Sequence, residues 1–357
     1  MSAAPQIPRS FFWQLPLFLL VWCLIVEVFV RLFLVSPAQS IDDPILGARM
    51  PPNSSLLVPD TDAGYRRIST NELGFNDDPI SPKNGRKRFI VLGDSYVEAF
   101  QVSRISNFMH IVERDVPTVQ LLNFGQSGLN PITETVVFDR LDKSMSPDGV
   151  IVVVNNGDEN DILSSGVMVK HCSSLHLVCD YVLPARSPDE FRQWLSALRG
   201  AFALTKMLYN KYNISIDLLQ LWSARVPANH GQRPGGWKTL SSPDVEGLLT
   251  LLFSRIQRRH PLVVVFVPSL DYTAGRRTQI EGSAEFMVRT KNAAREAGAT
   301  FLDAHDVLAD AYARYGQPPQ GFDFRNIHRG HLNELGHVAL AKLIERSLLL
   351  NQEKFGQ

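Results

Sequence analysis

Short runs of apolar residues, each stopped by glycine, proline or asparagine, recur through the second three-quarters of the chain. Arg88-Phe89-Ile90-Val91-Leu92 ends at Gly93, Val119-Gln120-Leu121-Leu122-Asn123-Phe124 ends at Gly125, and Val150-Ile151-Val152-Val153-Val154 ends at Asn155-Asn156-Gly157. Pro261 to Val267 stops at Pro268, and Ala299-Thr300-Phe301-Leu302 leads to Asp303. Runs this short and mostly apolar, rather than alternating, fit strands buried on both faces of a parallel sheet. Between them the apolar spacing becomes helical, at Phe138 to Leu141, Val245 to Ile256 and Ala284 to Ala297, the last closed by Gly298. Alternating strands and helices predict an α/β fold: a doubly wound parallel sheet of the three-layer, flavodoxin-like kind, with functional groups at the carboxyl ends of its strands.

The N-terminal pattern is different. From Phe11 to Val35 the chain is apolar apart from Gln14, Glu27 and Arg31, which is long enough for a helix to span a bilayer. Glu27 and Arg31, four apart, share a helix face and can pair near one membrane surface. Arg9 precedes the run, whereas Asp42 and Asp43 follow it with no Lys or Arg before Arg49. That asymmetry predicts a cytoplasmic segment at 1–10, one transmembrane helix at 11–35 in the cell inner membrane, and an extracytoplasmic remainder, periplasmic in a Gram-negative cell. A signal peptide cleaved near Ser36-Pro37-Ala38 is the alternative; the length, the embedded ion pair and the proline favour a retained anchor.

Residues 36–85 are rich in Pro, Asp, Asn and Ser and read as a stalk and irregular lead-in to a domain at 86–350. That domain is interrupted by an insertion at about 165–240. Ser187-Pro188-Asp189-Glu190 opens a helix there, and Phe191, Trp194, Leu195, Leu198 and Phe202 form its apolar face. Packing on the core is the commoner fate of such a stripe, and a lid over a substrate is the alternative.

Composition narrows the classes. A chain of 357 residues, 45% hydrophobic, can bury a large core. Lys plus Arg and Asp plus Glu both number 36, so no field draws nucleic acid. Of three cysteines, Cys172 and Cys179 lie seven apart, with His171 and His176 beside them. The spacing departs from that of zinc modules, and a disulfide in an oxidising compartment is the favoured reading over zinc or two free thiols. No cofactor or metal is called for.

Gly93-Asp94-Ser95-Tyr96 directly follows the first strand and should open a helix, placing Ser95 where backbone N–H groups favour a developing anion. Alone, the triplet is more simply a turn with Ser95 as helix cap. Three further segments follow in order: Asn123-Phe124-Gly125-Gln126-Ser127-Gly128-Leu129-Asn130, Gly157-Asp158-Glu159-Asn160-Asp161, and His331-Leu332-Asn333-Glu334-Leu335-Gly336-His337. In order and placement the four segments resemble the blocks of the SGNH (GDSL-type) hydrolase family, over about residues 70–345. Asn71-Glu72-Leu73-Gly74-Phe75 is similar to a lead-in found in membrane-anchored members.

The resemblance implies Ser95 as nucleophile, His331 as its base, and an oxyanion hole from Ser95, the Gly128 N–H and the Asn160 amide. Their bland counterparts are a turn glycine at Gly128 and a helix cap at Asn160, while His337 reads as helix packing. One position departs from the family, which has Asp three residues before its histidine where this chain has His328. Asp323, eight residues before His331, is the candidate acid; a Ser-His dyad or loss of catalysis are the alternatives. The activity implied is that of a serine esterase or O-acyltransferase on an acylated carbohydrate, a cell-surface polysaccharide or an acylated small molecule. The contrasting possibility is an inactive binding or assembly protein on the same fold. Protein partners are not indicated, and the lipid bilayer is a partner through the N-terminal helix.

Overall fold

A computed structural model describes residues 11–33, 41–43, 46–60, 64–171, 178–183, 237–273, 277–280, 284–322 and 330–350. Helix α1 covers Phe11–Phe33. Its side chains are described from Gln14 to Val30; Leu17, Phe18, Leu20 and Trp22 are exposed, whereas Glu27 and Val30 are buried. Among the described residues no helix is long and apolar enough to cross a membrane. The Arg31 side chain, and with it the expected Glu27–Arg31 pair, lies outside the description.

Residues expected to be irregular instead contain two antiparallel hairpins, β1 (Ile41–Asp43) with β2 (Gly47–Arg49) and β3 (Ser55–Asp60) with β4 (Gly64–Ser69). The turn-forming residues that suggested a stalk fall mostly outside the strands. Asp43 accepts the N–H of Leu46 at 2.9 Å, and Asn53 adopts a φ of +50° just before β3.

The core then runs through β5 (Lys87–Leu92), α2 (Ser95–Glu98), α3 (Phe108–Asp115), β6 (Val119–Asn123), α4 (Pro131–Met145), β7 (Gly149–Asn155) and α5 (Asp158–Ser164). Strands β8 (Met168–His171), β9 (Val178–Val182) and β10 (Trp237–Thr239) form a small antiparallel sheet. After it come α6 (Asp244–Gln257), β11 (Leu262–Val267), β12 (Leu270–Thr273), β13 (Arg277–Ile280), α7 (Ala284–Glu296), β14 (Thr300–Asp303), α8 (His305–Tyr315) and α9 (Glu334–Leu350).

Five strands make the expected parallel sheet in the order β14-β11-β7-β5-β6, the doubly wound order with β5 first in sequence. Alternate side chains face opposite layers. Ile90, Leu92, Val152 and Val264 pack with Phe138 of α4, Leu248 and Phe253 of α6, and Phe286 of α7. Phe89, Val91, Ile151 and Val265 pack on the other side with Val112 of α3, Leu308 of α8 and Leu340 of α9. Every side chain of β6, β7 and β11 is buried. Each large apolar one contributes about 1.5–3 kcal/mol on transfer from water. This is why the strands read as continuous apolar runs.

The insertion is described only at its edges, and its expected helix from Ser187 lies outside the described residues. Cys179 on β9 is disulfide-bonded; Cys172, its expected partner, lies outside the description. His171 Nε2 lies 2.7 Å from Asp244 Oδ1.

Candidate active site

The sheet order reverses between β5 and β7, and the loops leaving their carboxyl ends meet there. Ser95 follows β5. Asp94, not Ser95, caps helix α2: its Oδ1 accepts the Tyr96 N–H at 2.9 Å. That helix is a single turn, ended by Ala99 in the left-handed region at φ +52°. The expected helix dipole is therefore small, and any anion at Ser95 would rely on individual N–H donors.

Two glycines let neighbouring segments approach that turn. A Cβ on Gly93 would run into the Val97 side chain, and one on Gly125 would meet the backbone of Val97 and Glu98. The second loop is stitched to the first by Phe124 N–H to Val91 O at 2.9 Å and Gln126 N–H to Gly93 O at 3.1 Å.

His331 arrives from the other end of the chain. Its Nε2 lies 2.7 Å from Ser95 Oγ, across 236 residues of sequence. Its backbone carbonyl accepts the Gly321 N–H at 2.9 Å, and the next residue, Leu332, is buried and bridged to Gln320. Asn333 caps α9, accepting the N–H groups of Leu335 and Gly336, and its amide holds the carbonyls of Pro318 and Gly321. From α2, Tyr96 donates its hydroxyl to the carbonyl of Gly330 at 3.0 Å and lays its ring 5.3 Å from the imidazole.

The three expected oxyanion donors are disposed differently. Among the described residues, the N–H of Ser95, the N–H of Gly128 and the side-chain amide of Asn160 have no intrachain acceptor. Gly128 is exposed at the turn after Gln126, with φ +82° and open space where a Cβ would stand. Asn160 is the third residue of α5 and exposed, so it is not the helix cap. Asn156, at the end of β7, was not singled out by motif; its Oδ1 accepts the Ser269 N–H at 2.8 Å, which leaves its Nδ2 pointing elsewhere as a donor.

Asp323 and His328 lie outside the described residues. His337 is buried, stacks on Phe108 at 5.9 Å and accepts the Phe108 N–H at 3.3 Å. Burial drives it down to about 3, so it stays neutral.

Buried carboxyls line the floor. Asp94 also accepts Asn155 Nδ2 at 2.9 Å; burial raises its pKa, opposed by its hydrogen bonds with Tyr96 and Asn155 and by His331. Beneath it, Asp158 accepts the Asn155 N–H at 2.8 Å, and Glu134 of α4 is buried with neither carboxyl oxygen partnered among the described residues. Both titrate well above the usual carboxylate range, first because of burial, then through Asp158 and Asp94 for Glu134 and through Asp94 and Asp161 for Asp158. A hydroxyl within hydrogen-bond distance of an imidazole, beside donors that have no acceptor among the described residues, supplies the groups that acyl transfer requires.

No family model matches the chain, and no curated protein sequence does. Solved structures resemble it loosely. An acetyl xylan esterase, AlAXEase, shares 12% identity over 73% of this chain and 99% of its own, with a TM-score of 0.42. A variant of the acetyl xylan esterase Axe2 from Geobacillus stearothermophilus shares 12% over 75% and 97%, at 0.39. A lipolytic protein of the G-D-S-L family from Veillonella parvula shares 11% over 74% and 98%, at 0.35. At that distance no residue role transfers from them.

Proposed function

We propose that this chain is a serine esterase or O-acyltransferase of SGNH type, held at the inner membrane by its N-terminal helix and working on the extracytoplasmic side. The observation that carries the reading is the 2.7 Å contact between His331 Nε2 and Ser95 Oγ. In the first half-reaction Ser95 Oγ attacks an ester carbonyl and His331 takes the hydroxyl proton. Negative charge on the carbonyl oxygen is met by the N–H groups of Ser95 and Gly128 and by a side-chain amide, Asn160 in this assignment. Collapse expels the alcohol, which takes the proton back from His331, and leaves an acyl-serine.

Water or a second hydroxyl then attacks the acyl-serine, again giving its proton to His331, and Ser95 Oγ leaves with that proton to complete hydrolysis or transfer. Asp323 is the proposed partner of the imidazole. An acylated carbohydrate at the cell surface is the proposed substrate, following the resemblance of the four sequence blocks to the SGNH family and of Asn71 to Phe75 to a lead-in of its membrane-anchored members. Ser95→Ala should abolish release of acetate from acetylated oligosaccharides and chromogenic acetate esters while the thermal transition stays in place. Equal turnover by the variant would remove Ser95 from the chemistry.

A further inference from the structure

Glu98 ends helix α2, three residues after Ser95, and is only 6% exposed. Its Oε2 accepts the backbone N–H of Ser127 at 3.0 Å and also the Ser127 hydroxyl. Ser127 directly precedes Gly128, whose N–H has no intrachain acceptor among the described residues. The base of this clamp is itself held: the Glu98 carbonyl accepts Asn76 Nδ2 at 2.7 Å, and the backbone at Glu98 lies against Gly125. Burying a carboxyl is costly unless donors satisfy it. Here both donors belong to the residue next to the candidate oxyanion glycine. Burial pushes Glu98 up to about 7, Ser127 opposes that rise, and Asp94 and His331 are the charged groups that face it.

We propose that Glu98 is a positioning residue for the acyl transfer assigned to Ser95, on which reading it rests: it fixes the Ser127-Gly128 turn to the nucleophile's helix, so that the Gly128 N–H and the Ser95 hydroxyl keep one spacing. Tyr96 does the same for the His331 loop from the next position but one. The single turn of helix thus sets the nucleophile against both of its partners.

The test uses the full chain in detergent with Glu98→Ala, Glu98→Gln and Ser127→Ala. Loss of a whole oxyanion donor costs about 10²–10³ in kcat. A displaced one should cost less, so Glu98→Ala is expected to lower kcat on an acetate ester about 10- to 100-fold with KM within about threefold. Glu98→Gln, whose Oε1 can still accept from Ser127, should recover most of that loss, and Ser127→Ala should fall between. Hydrogen exchange of the peptide carrying Ser127 and Gly128 should accelerate in Glu98→Ala and remain slow in Glu98→Gln. Unaltered exchange there in Glu98→Ala overturns the inference whether or not the chain turns over an ester. Wild-type inactivity with faster exchange in the alanine variant would instead count against the acyl-transfer reading and leave the clamp standing. Equal losses of kcat in the Ala and Gln variants would also overturn the positioning role.

Discussion

The phenol of Tyr96 donates to the carbonyl of Gly330 at 3.0 Å, joining the residue after the nucleophile to the residue before the imidazole. A net hydrogen bond of this kind is worth about 1 kcal/mol. Tyr96→Phe keeps the ring against His331 and removes that bond. It should lower kcat/KM several-fold and stability by about 1 kcal/mol, read by steady-state kinetics and denaturant melts. A variant with wild-type kinetics would show that the His331 loop is held by the Pro318 to Gly321 contacts alone.

Asn160 and Asn156 offer two amides for one oxyanion. The four-block resemblance points to Asn160, and its side chain, exposed and without an acceptor among the described residues, agrees with a role toward a ligand. Asn160→Ala should lower turnover by about 10²-fold or more and alter KM less, as when one oxyanion donor is removed. Asn156→Ala should mainly loosen the Ser269 contact and cost stability. The reverse pattern in kcat would transfer the role to Asn156.

The acid that orients His331 can be found by charge reversal of the question. If Asp323 serves, Asp323→Asn should cut kcat by about 10⁴, the scale seen when a triad carboxylate is neutralised, and His328→Ala should matter far less. If His331 acts with a backbone carbonyl, Asp323→Asn should be nearly silent, and His328→Asp, which restores the family spacing, should raise turnover. An undetectable rate in every variant and in the wild type would favour an inactive, binding form of the fold.

Glu134 is a buried carboxyl with no partner among the described residues. It, Asp158, Glu98 and Asp77 all titrate above their unfolded values, the last two near 7, chiefly because of burial. A raised carboxyl pKa stabilises the fold while the group is protonated. For Glu98 and Asp77 that contribution is complete below about pH 4 and is lost as pH climbs through about 7. His337, lowered to about 3, works in the opposite sense between 3 and 6.5, but it is one group against four. The melting temperature should therefore fall between pH 6 and pH 8. Glu134→Gln, which keeps the side chain neutral at every pH, should lose less of its melting temperature than the wild type as pH rises. A variant less stable at pH 8 would mean that Glu134 is ionised and satisfied.

The parallel sheet was legible because Phe89 to Leu92, Val150 to Val154 and Leu262 to Val267 are buried on both faces, and burial on both faces leaves an apolar run in sequence. Ser95 and His331 were legible only through the order of the blocks; no spacing rule connects residues 236 apart. Tyr96 and Glu98 carried no signal of their own. Their positions beside Ser95 are plain, but their partners, 234 and 29 residues away, depend on how the loops fold back. The hairpins before the core were missed because Pro, Asp, Asn and Ser dominate the composition around their strands.

Covalent labelling with a serine-directed phosphonate, mapped by mass spectrometry, decides whether Ser95 is the nucleophile. A single adduct is expected on Ser95, absent in Ser95→Ala and formed at least about 10²-fold more slowly in His331→Ala, because the unassisted hydroxyl is a weak nucleophile. Labelling at another serine, or labelling of Ser95 at the same rate without His331, would contradict that assignment.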